Sequence, residues 1–176
     1  MGKTDIKSLP LEQLEQWVVE HGEKKFRAKQ LYQWMHVKLV DDPEQMSNLS
    51  AAFRQEIREN CTFTVLKQVT MQESALDGTR KYLFELEDHN MVESVLMRYK
   101  HGNSVCISSQ VGCRMGCRFC ASTLDGLVRN LTPAEMLEQI YQIQRIMGKR
   151  ISNIVLMGIG EPLDNFDAVM RFLELV

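Results

Sequence analysis

The strongest constraint on the fold is the order of elements across residues 104–176. Residues 104–108 read as a short apolar strand, and residues 109–130 as a loop carrying Gly112, Gly116 and Gly126. Thr132-Pro133-Ala134-Glu135 reads as a helix start, with a capping residue and a proline in the first turn. Met136, Ile140, Ile143 and Met147 then share one helical face. Residues 153–157 read as a second, buried strand, residues 158–162 as a turn, and residue 167 onward as another helix. A strand, a helical crossover and a second strand open a parallel α/β arrangement. Two strands neither close a barrel nor make a stable parallel sheet, and residues 172–176 are an apolar helical end. The expectation is the N-terminal part of a longer protein.

Residues 8–60 follow a different period. Ser8 and Pro10 suit a helix start, Leu11, Leu14, Trp17 and Val18 form one stripe, and Gly22 ends it. Phe26, Leu31, Trp34 and Met35 mark a second helix. Met46, Leu49, Phe53 and Ile57 mark a third, after the break at Asp41-Asp42-Pro43. Tyr32 and Trp34 read as core. Near Cys61 the pattern changes to strands: residues 62–71 are rich in Val and Thr, Asp77-Gly78 is a hairpin signal, and residues 79–86 and 91–97 follow. The expected division is a helical domain at 1–60, an antiparallel meander linker at 61–100 and an α/β core at 101–176.

The chain has 176 residues, 44% hydrophobic and 25% charged, with net charge −2. That excludes a disordered chain and a wholly basic nucleic-acid binder. A local basic window remains: residues 22–40 hold Lys24, Lys25, Arg27, Lys29 and Lys38 against Glu23 alone. Lys24, Lys25, Arg27 and Lys29 are candidate RNA phosphate contacts, with a solvated helix face as the alternative. No apolar run approaches the roughly 18 residues of a membrane helix, and residues 1–20 lack a secretory pattern. The expectation is a cytoplasmic protein with no membrane partner.

Of five cysteines, four (Cys106, Cys113, Cys117 and Cys120) crowd into one short segment. An odd, clustered set without an export signal argues against a disulfide framework. Cys113, Cys117 and Cys120 form a C-x3-C-x2-C motif that can bind three irons of a [4Fe–4S] cluster, leaving the fourth open to a small chelating molecule. Zinc and redox thiols are the alternatives. Zinc wants four ligands, and no second pair is present. Cys106 is either a reactive thiol, which favours a lowered pKa, or a small buried hydrophobe. Glu93 sits among Met91, Val92, Val95 and Leu96, apolar neighbours of the kind that raise a carboxylate's pKa, or else is a solvent-facing strand residue. Met157 suits either a cofactor contact or the core.

The cysteine spacing, with Phe119 before the last cysteine, resembles the radical S-adenosylmethionine superfamily. Gly158-Ile159-Gly160-Glu161-Pro162 resembles its second motif, which holds the amino group of S-adenosylmethionine. Four segments resemble the RlmN/Cfr family of RNA methyltransferases: residues 26–31 with Trp34, residues 93–96, residues 106–113 and residues 157–163. The resemblance implies a (β/α)6 partial barrel with its site at the C-terminal ends of the strands. It implies a [4Fe–4S] cluster on Cys113, Cys117 and Cys120, and S-adenosylmethionine at Gly160 and Glu161. It also implies methylation of adenosine C2 in 23S rRNA and tRNA, with C8 methylation as the sister activity and a reductase or flavodoxin as electron donor. Adenine C2 is not nucleophilic, so a radical route through the cofactor is required. Glu93 then matches the proton acceptor. Cys106 matches the cysteine that resolves a protein–RNA crosslink by forming a disulfide with a methyl-carrying cysteine. No cysteine in this chain matches that carrier, so the chain alone is expected to be inactive. A metal-stabilised RNA-binding module without catalysis is the remaining class, separable by iron against zinc content.

Overall fold

A computed structural model describes residues 2–176. The described residues divide into two compact units, residues 2–64 and residues 65–174.

In the first unit, β1 (Thr4–Asp5) precedes α1 (Leu11–Glu20) and α2 (Phe26–Tyr32). From α2 the chain passes into a π-helical turn, Gln33–Val37. Then come α3 (Ala51–Asn60) and β2 (Cys61–Thr62), which pairs parallel with β1. The apolar stripes read from the sequence meet in one core that includes Leu14, Trp17, Leu31, Met35, Met46, Leu49, Phe53 and Ile57. The third helix starts later than its apolar pattern. Pro43–Gln45 is a short 3-10 turn, and Ser50 opens α3 afresh by accepting from Phe53 N at 3.1 Å. Met46 and Leu49 therefore reach the core from a turn. Lys7 is 0% exposed, its ammonium donating to Thr64 O at 2.6 Å above the Phe63 ring. Burial, with the Lys7 charge adding to it, lowers the His36 imidazole to about 4.

The second unit is built on one five-stranded sheet. β3 (Lys67–Glu73), β4 (Arg80–Glu85), β5 (Met91–Tyr99) and β6 (Gly102–Cys106) run antiparallel in that order. After β6 come β7 (Gln110–Gly112), β8 (Leu127–Asn130), α4 (Pro133–Met147), β9 (Asn153–Val155) and α5 (Phe166–Leu175). β9 joins β6 in parallel, with Cys106 opposite Val155. The expected boundary near residue 100 is not seen. The meander and the parallel pair are one sheet, because β6 bonds to β5 on one side and β9 on the other. Antiparallel partners thus support a parallel pair that could not stand alone.

Residues 109–130 are not simply a loop. β7 and β8 pair as an antiparallel hairpin, Gln110 opposite Asn130 and Val111 opposite Arg129. The helix start at residue 132 is a capping box: Thr132 accepts from Glu135 N at 3.2 Å while the Glu135 carboxylate accepts from Thr132 N at 2.9 Å. Gly148 closes α4 in the left-handed conformation. Among the described residues no helix is long and apolar enough to cross a membrane.

Candidate cofactor-binding site

Two segments meet beyond the C-terminal ends of β6 and β9. Ile107 N donates to Val155 O at 3.0 Å, Gly158 N to Ile107 O at 3.1 Å, and Ser109 N to Ile159 O at 2.9 Å. These bonds stitch the Gly-rich turn after β9 to the stretch that leads into the cysteine loop. Gly160 has φ +101°, and a Cβ there would lie 2.5 Å from the Gln110 Cβ. Only glycine permits both the conformation and the approach.

The Gln110 side chain is fully buried and joins the two segments. Its Oε1 accepts from Glu161 N at 2.9 Å, and its Nε2 donates to Asn130 Oδ1 at 2.8 Å and Asp164 Oδ2 at 3.1 Å. Asp164 also pairs with Arg114 of the cysteine loop, and that guanidinium holds the Asp164 carboxyl below its usual range. Glu161 faces its own turn: one carboxylate oxygen accepts from Leu163 N at 3.0 Å. Beneath this junction Gln139 of α4 accepts from Ser94 Oγ at 2.9 Å and Ser108 N at 2.8 Å, and donates to Ser108 O at 3.0 Å. Asn165 donates to Ser109 O and Leu131 O.

Gln110, Gln139, Asp164 and Asn165 were not singled out as site residues from the sequence. Gln139 left a usable sign, since it falls beside Met136, Ile140 and Ile143 on the face of α4 that packs inward. A polar residue on a buried face is retained when it is hydrogen-bonded. The others are scattered through loops, where no periodicity marks them.

Cys113, Cys117 and Cys120 lie on the connection between β7 and β8, all as free thiols. Cys113 is buried, Cys120 half-buried and Cys117 exposed. Cys113 N donates to Gly126 O at 2.9 Å, and a Cβ on Gly112 would sit 2.0 Å from that carbonyl oxygen, so the loop base closes only around glycine. Cys120 N donates to Cys117 O at 3.0 Å in a tight turn. Among the described residues no three His, Cys, Asp or Glu side chains stand close enough to hold a metal ion. The loop therefore gathers three soft donors on one segment without arranging them as a chelate. In kind, the set fits an iron–sulfur cluster, which takes thiolate ligands. Phe119, 95% exposed, projects from the same turn.

Glu93 and Cys106 share a sheet face. Val95 stands opposite Cys106, and Glu93 is two residues from Val95, so the two are diagonal neighbours, about 7–8 Å apart in a ladder of this kind. Glu93 is not the isolated carboxylate its neighbours suggested. Its Oε1 lies 3.0 Å from Lys81 Nζ, with side chains 43% and 46% exposed. Cys106 lacks the lowered pKa of the reactive-thiol reading and is closer to the buried alternative. Burial pushes its thiol up rather than down, opposed only by the Met157 N–H at its sulfur. Met157 itself is 81% exposed, so it is not core. Cys61 belongs to the core of the first unit, where burial pushes its thiol up to about 12.

In the basic window, Lys24 and Lys29 are exposed. Lys25 pairs with Glu15 at 3.0 Å, and Arg27 donates to Gln30 Oε1 and Asn48 O, both at 2.8 Å. Arg27 therefore braces its own unit. Trp34 is partly buried, donating to Asn48 Oδ1 at 2.5 Å beneath the Lys38 ammonium.

Residues 4–63 match the family described as ribosomal RNA large subunit methyltransferase N-terminal domain, and residues 107–176 match the radical SAM superfamily. The chain is 62% identical over 173 residues to a probable dual-specificity RNA methyltransferase RlmN of Lachnospira eligens, covering 98% of this chain and 49% of that protein. A Clostridium novyi protein of the same description is 50% identical over 172 residues, covering 98% and 50%. Over nearly its whole length the chain matches the N-terminal half of RlmN proteins. A radical SAM methyltransferase from Sphaerobacter thermophilus superimposes with TM-score 0.90 at 36% identity, over 98% of this chain and 51% of that one. The chain thus spans about half the length of the RlmN proteins it matches. The mixed α/β architecture expected from the sequence, helical unit first and radical SAM core second, is the one observed.

Proposed function

We propose that this chain supplies the cluster-binding and RNA-contacting half of a radical S-adenosylmethionine methyltransferase acting on adenosine C2 in 23S rRNA and tRNA. One observation carries the reading: Gln110 ties the turn at Gly160 and Glu161 to the hairpin bearing Cys113, Cys117 and Cys120. Two motifs with one cofactor in common would need that coupling. Cys113, Cys117 and Cys120 would hold a [4Fe–4S] cluster, and the backbone at Gly160 with Glu161 would hold the amino group of S-adenosylmethionine. Such a pair, when bound, supplies one-electron cleavage of the sulfonium; a reductase or flavodoxin would provide the electron.

The remaining roles fall to the chain's own side chains. Cys106, whose burial raises its thiol, would lose its proton and attack the sulfur of a methyl-carrying cysteine supplied by the rest of the protein, the S–S bond forming as that sulfur's bond to the RNA-attached carbon breaks. Glu93 shares its face and accepts the proton leaving the base, with Lys81 beside the carboxylate. Lys24 and Lys29 engage RNA phosphates. The reaction belongs to the cytoplasm, where thiols stay reduced.

Anaerobic reconstitution of the full-length protein tests the reading. It should bind about four irons, the content of a cubane cluster, and yield 2-methyladenosine from 23S rRNA. Cys117→Ala should lose the iron, and Cys61→Ala should keep it. One zinc in place of iron, or full iron in Cys117→Ala, would overturn the assignment; a C8 product would move it to the sister activity.

A further inference from the structure

The end of the sheet opposite Cys106 carries a second concentration of positive charge. Tyr99, the last residue of β5, pairs with Gly102, the first of β6, so residues 98–101 turn at that end. The segment after α4 is fastened to the same place: Asn103 Nδ2 donates to Arg150 O at 3.1 Å, and Ser152 N to Asn103 O at 2.8 Å. Arg98, Lys100, His101, Lys149 and Arg150 are thereby brought together, all exposed. Neither residues 97–104 nor residues 146–153 contain an acid. The neighbouring β3–β4 hairpin does carry acids at this end, but they are engaged. Glu73 pairs with Arg80 at 3.0 Å, and Asp77 accepts from Thr79 N and Oγ1. In a chain of net charge −2, such segregation makes the β5–β6 turn and the segment after α4 a locally basic surface, although Asp77 on the neighbouring hairpin keeps its charge.

An aromatic platform lies in the middle of it. The Tyr99 and His101 rings stack 5.0 Å apart and nearly parallel, at 8°, and Tyr99 is 52% exposed. Unopposed Lys and Arg select a polyanion, and an exposed stack of flat rings offers a surface to an unpaired base. An acidic electron-donor protein would use the charge but not the stack. It would also need to approach the cysteine loop, and β6 alone places roughly 13 Å between its two ends.

We propose that Arg98, Lys100, Lys149 and Arg150, with the Tyr99–His101 stack, form an RNA-backbone contact at the far end of the sheet from the cofactor site. This rests on the reading of the protein as an RNA methyltransferase. The surface holds the body of a large folded RNA while the target adenosine occupies the other end of the sheet. It is separate in sequence and in structural unit from Lys24 and Lys29.

The test uses the full-length protein and a transcribed tRNA, with binding measured over a range of salt. A Lys100→Ala/Lys149→Ala/Arg150→Ala variant should bind about tenfold or more weakly at physiological salt, with the log–log salt slope reduced by about two to three. These side chains are exposed, so thermal unfolding should match the wild type. Tyr99→Ala alone should weaken binding while leaving the slope unchanged. A wild type that methylates RNA, beside a triple variant with unchanged affinity and slope, overturns the surface and leaves the methyltransferase reading standing. Unchanged RNA binding with slower reduction by the electron donor also overturns it, in favour of a protein dock. A wild type that neither binds nor methylates RNA overturns the underlying reading first.

Discussion

Between residues 4 and 61 most of the large apolar side chains turn toward one another, from Ile6 to Cys61 in one buried cluster, with Val19, Phe26 and Val37 left exposed. Around the cysteine loop and α5 many point outward instead: Met115, Phe119, Leu124, Met157, Leu163, Phe166, Met170 and Leu173. On α5, Phe166, Met170 and Leu173 form an exposed stripe while Val169 and Phe172 are buried. The helical unit is held by its core. The site end of the sheet unit is held by side-chain amides and backbone bonds that cross between loops, and keeps apolar surface on show. Exposed apolar area rimmed by polar groups marks a surface that meets something else. Durable packing and chemistry are thus housed in different parts of the chain.

The largest expected effect strikes the helical unit. Phe53 is 2% exposed at its centre, and Phe53→Ala should cost about 3–5 kcal/mol. Segment-resolved hydrogen exchange should show α1, α2 and α3 losing protection while β4, β5 and β6 keep theirs. Equal loss in both would mean that the units fold as one, and the contrast would fail.

A smaller effect concerns pH. His36 sits at about 4 in the folded state against 6.5 as its ordinary value. Between those values the unfolded chain binds a proton that the folded chain does not, so stability falls as pH drops from 6.5 toward 4. The loss is up to about 3 kcal/mol. Urea melts at pH 7 and pH 4.5 should show it for the helical unit, and His36→Gln should flatten the difference. An identical pH dependence in the variant would remove His36 from the account.

The smallest change in stability, about 1–3 kcal/mol, is expected at the site end from Gln110→Leu, which leaves Glu161 N and the Asp164 carboxylate without their amide partner. Exchange should rise across residues 158–165 and leave α1–α3 untouched. In the full-length protein, S-adenosylmethionine affinity should fall further than iron content. If both stay at wild-type levels, the amide contributes no coupling between the two motifs.

The sequence by itself determined where α1 and α4 lie, because each carries a local record, while the apolar repeat of α3 begins at Met46, ahead of the helix itself at Ala51. Leu14, Trp17 and Val18 repeat at helical spacing, and Thr132 with Glu135 writes a capping box into four residues. It also placed the cysteine motif, since three thiols on one loop need no distant partner to be recognised. Tertiary structure alone decided the rest. The β7–β8 hairpin is invisible locally, because its strands are three and four residues long and its partners are separated by the whole cysteine loop. The joining of meander and parallel pair was settled by β6, which bonds to strands on both sides. The state of Cys106 depended on what the fold stacked around it: burial raised a thiol that the sequence left open between a reactive and a buried reading. Glu93 gained Lys81 from the next strand, a neighbour that apolar flanking residues could not announce. Local periodicity records which face of an element is buried; which polar groups must then satisfy one another is fixed only when distant segments close on each other.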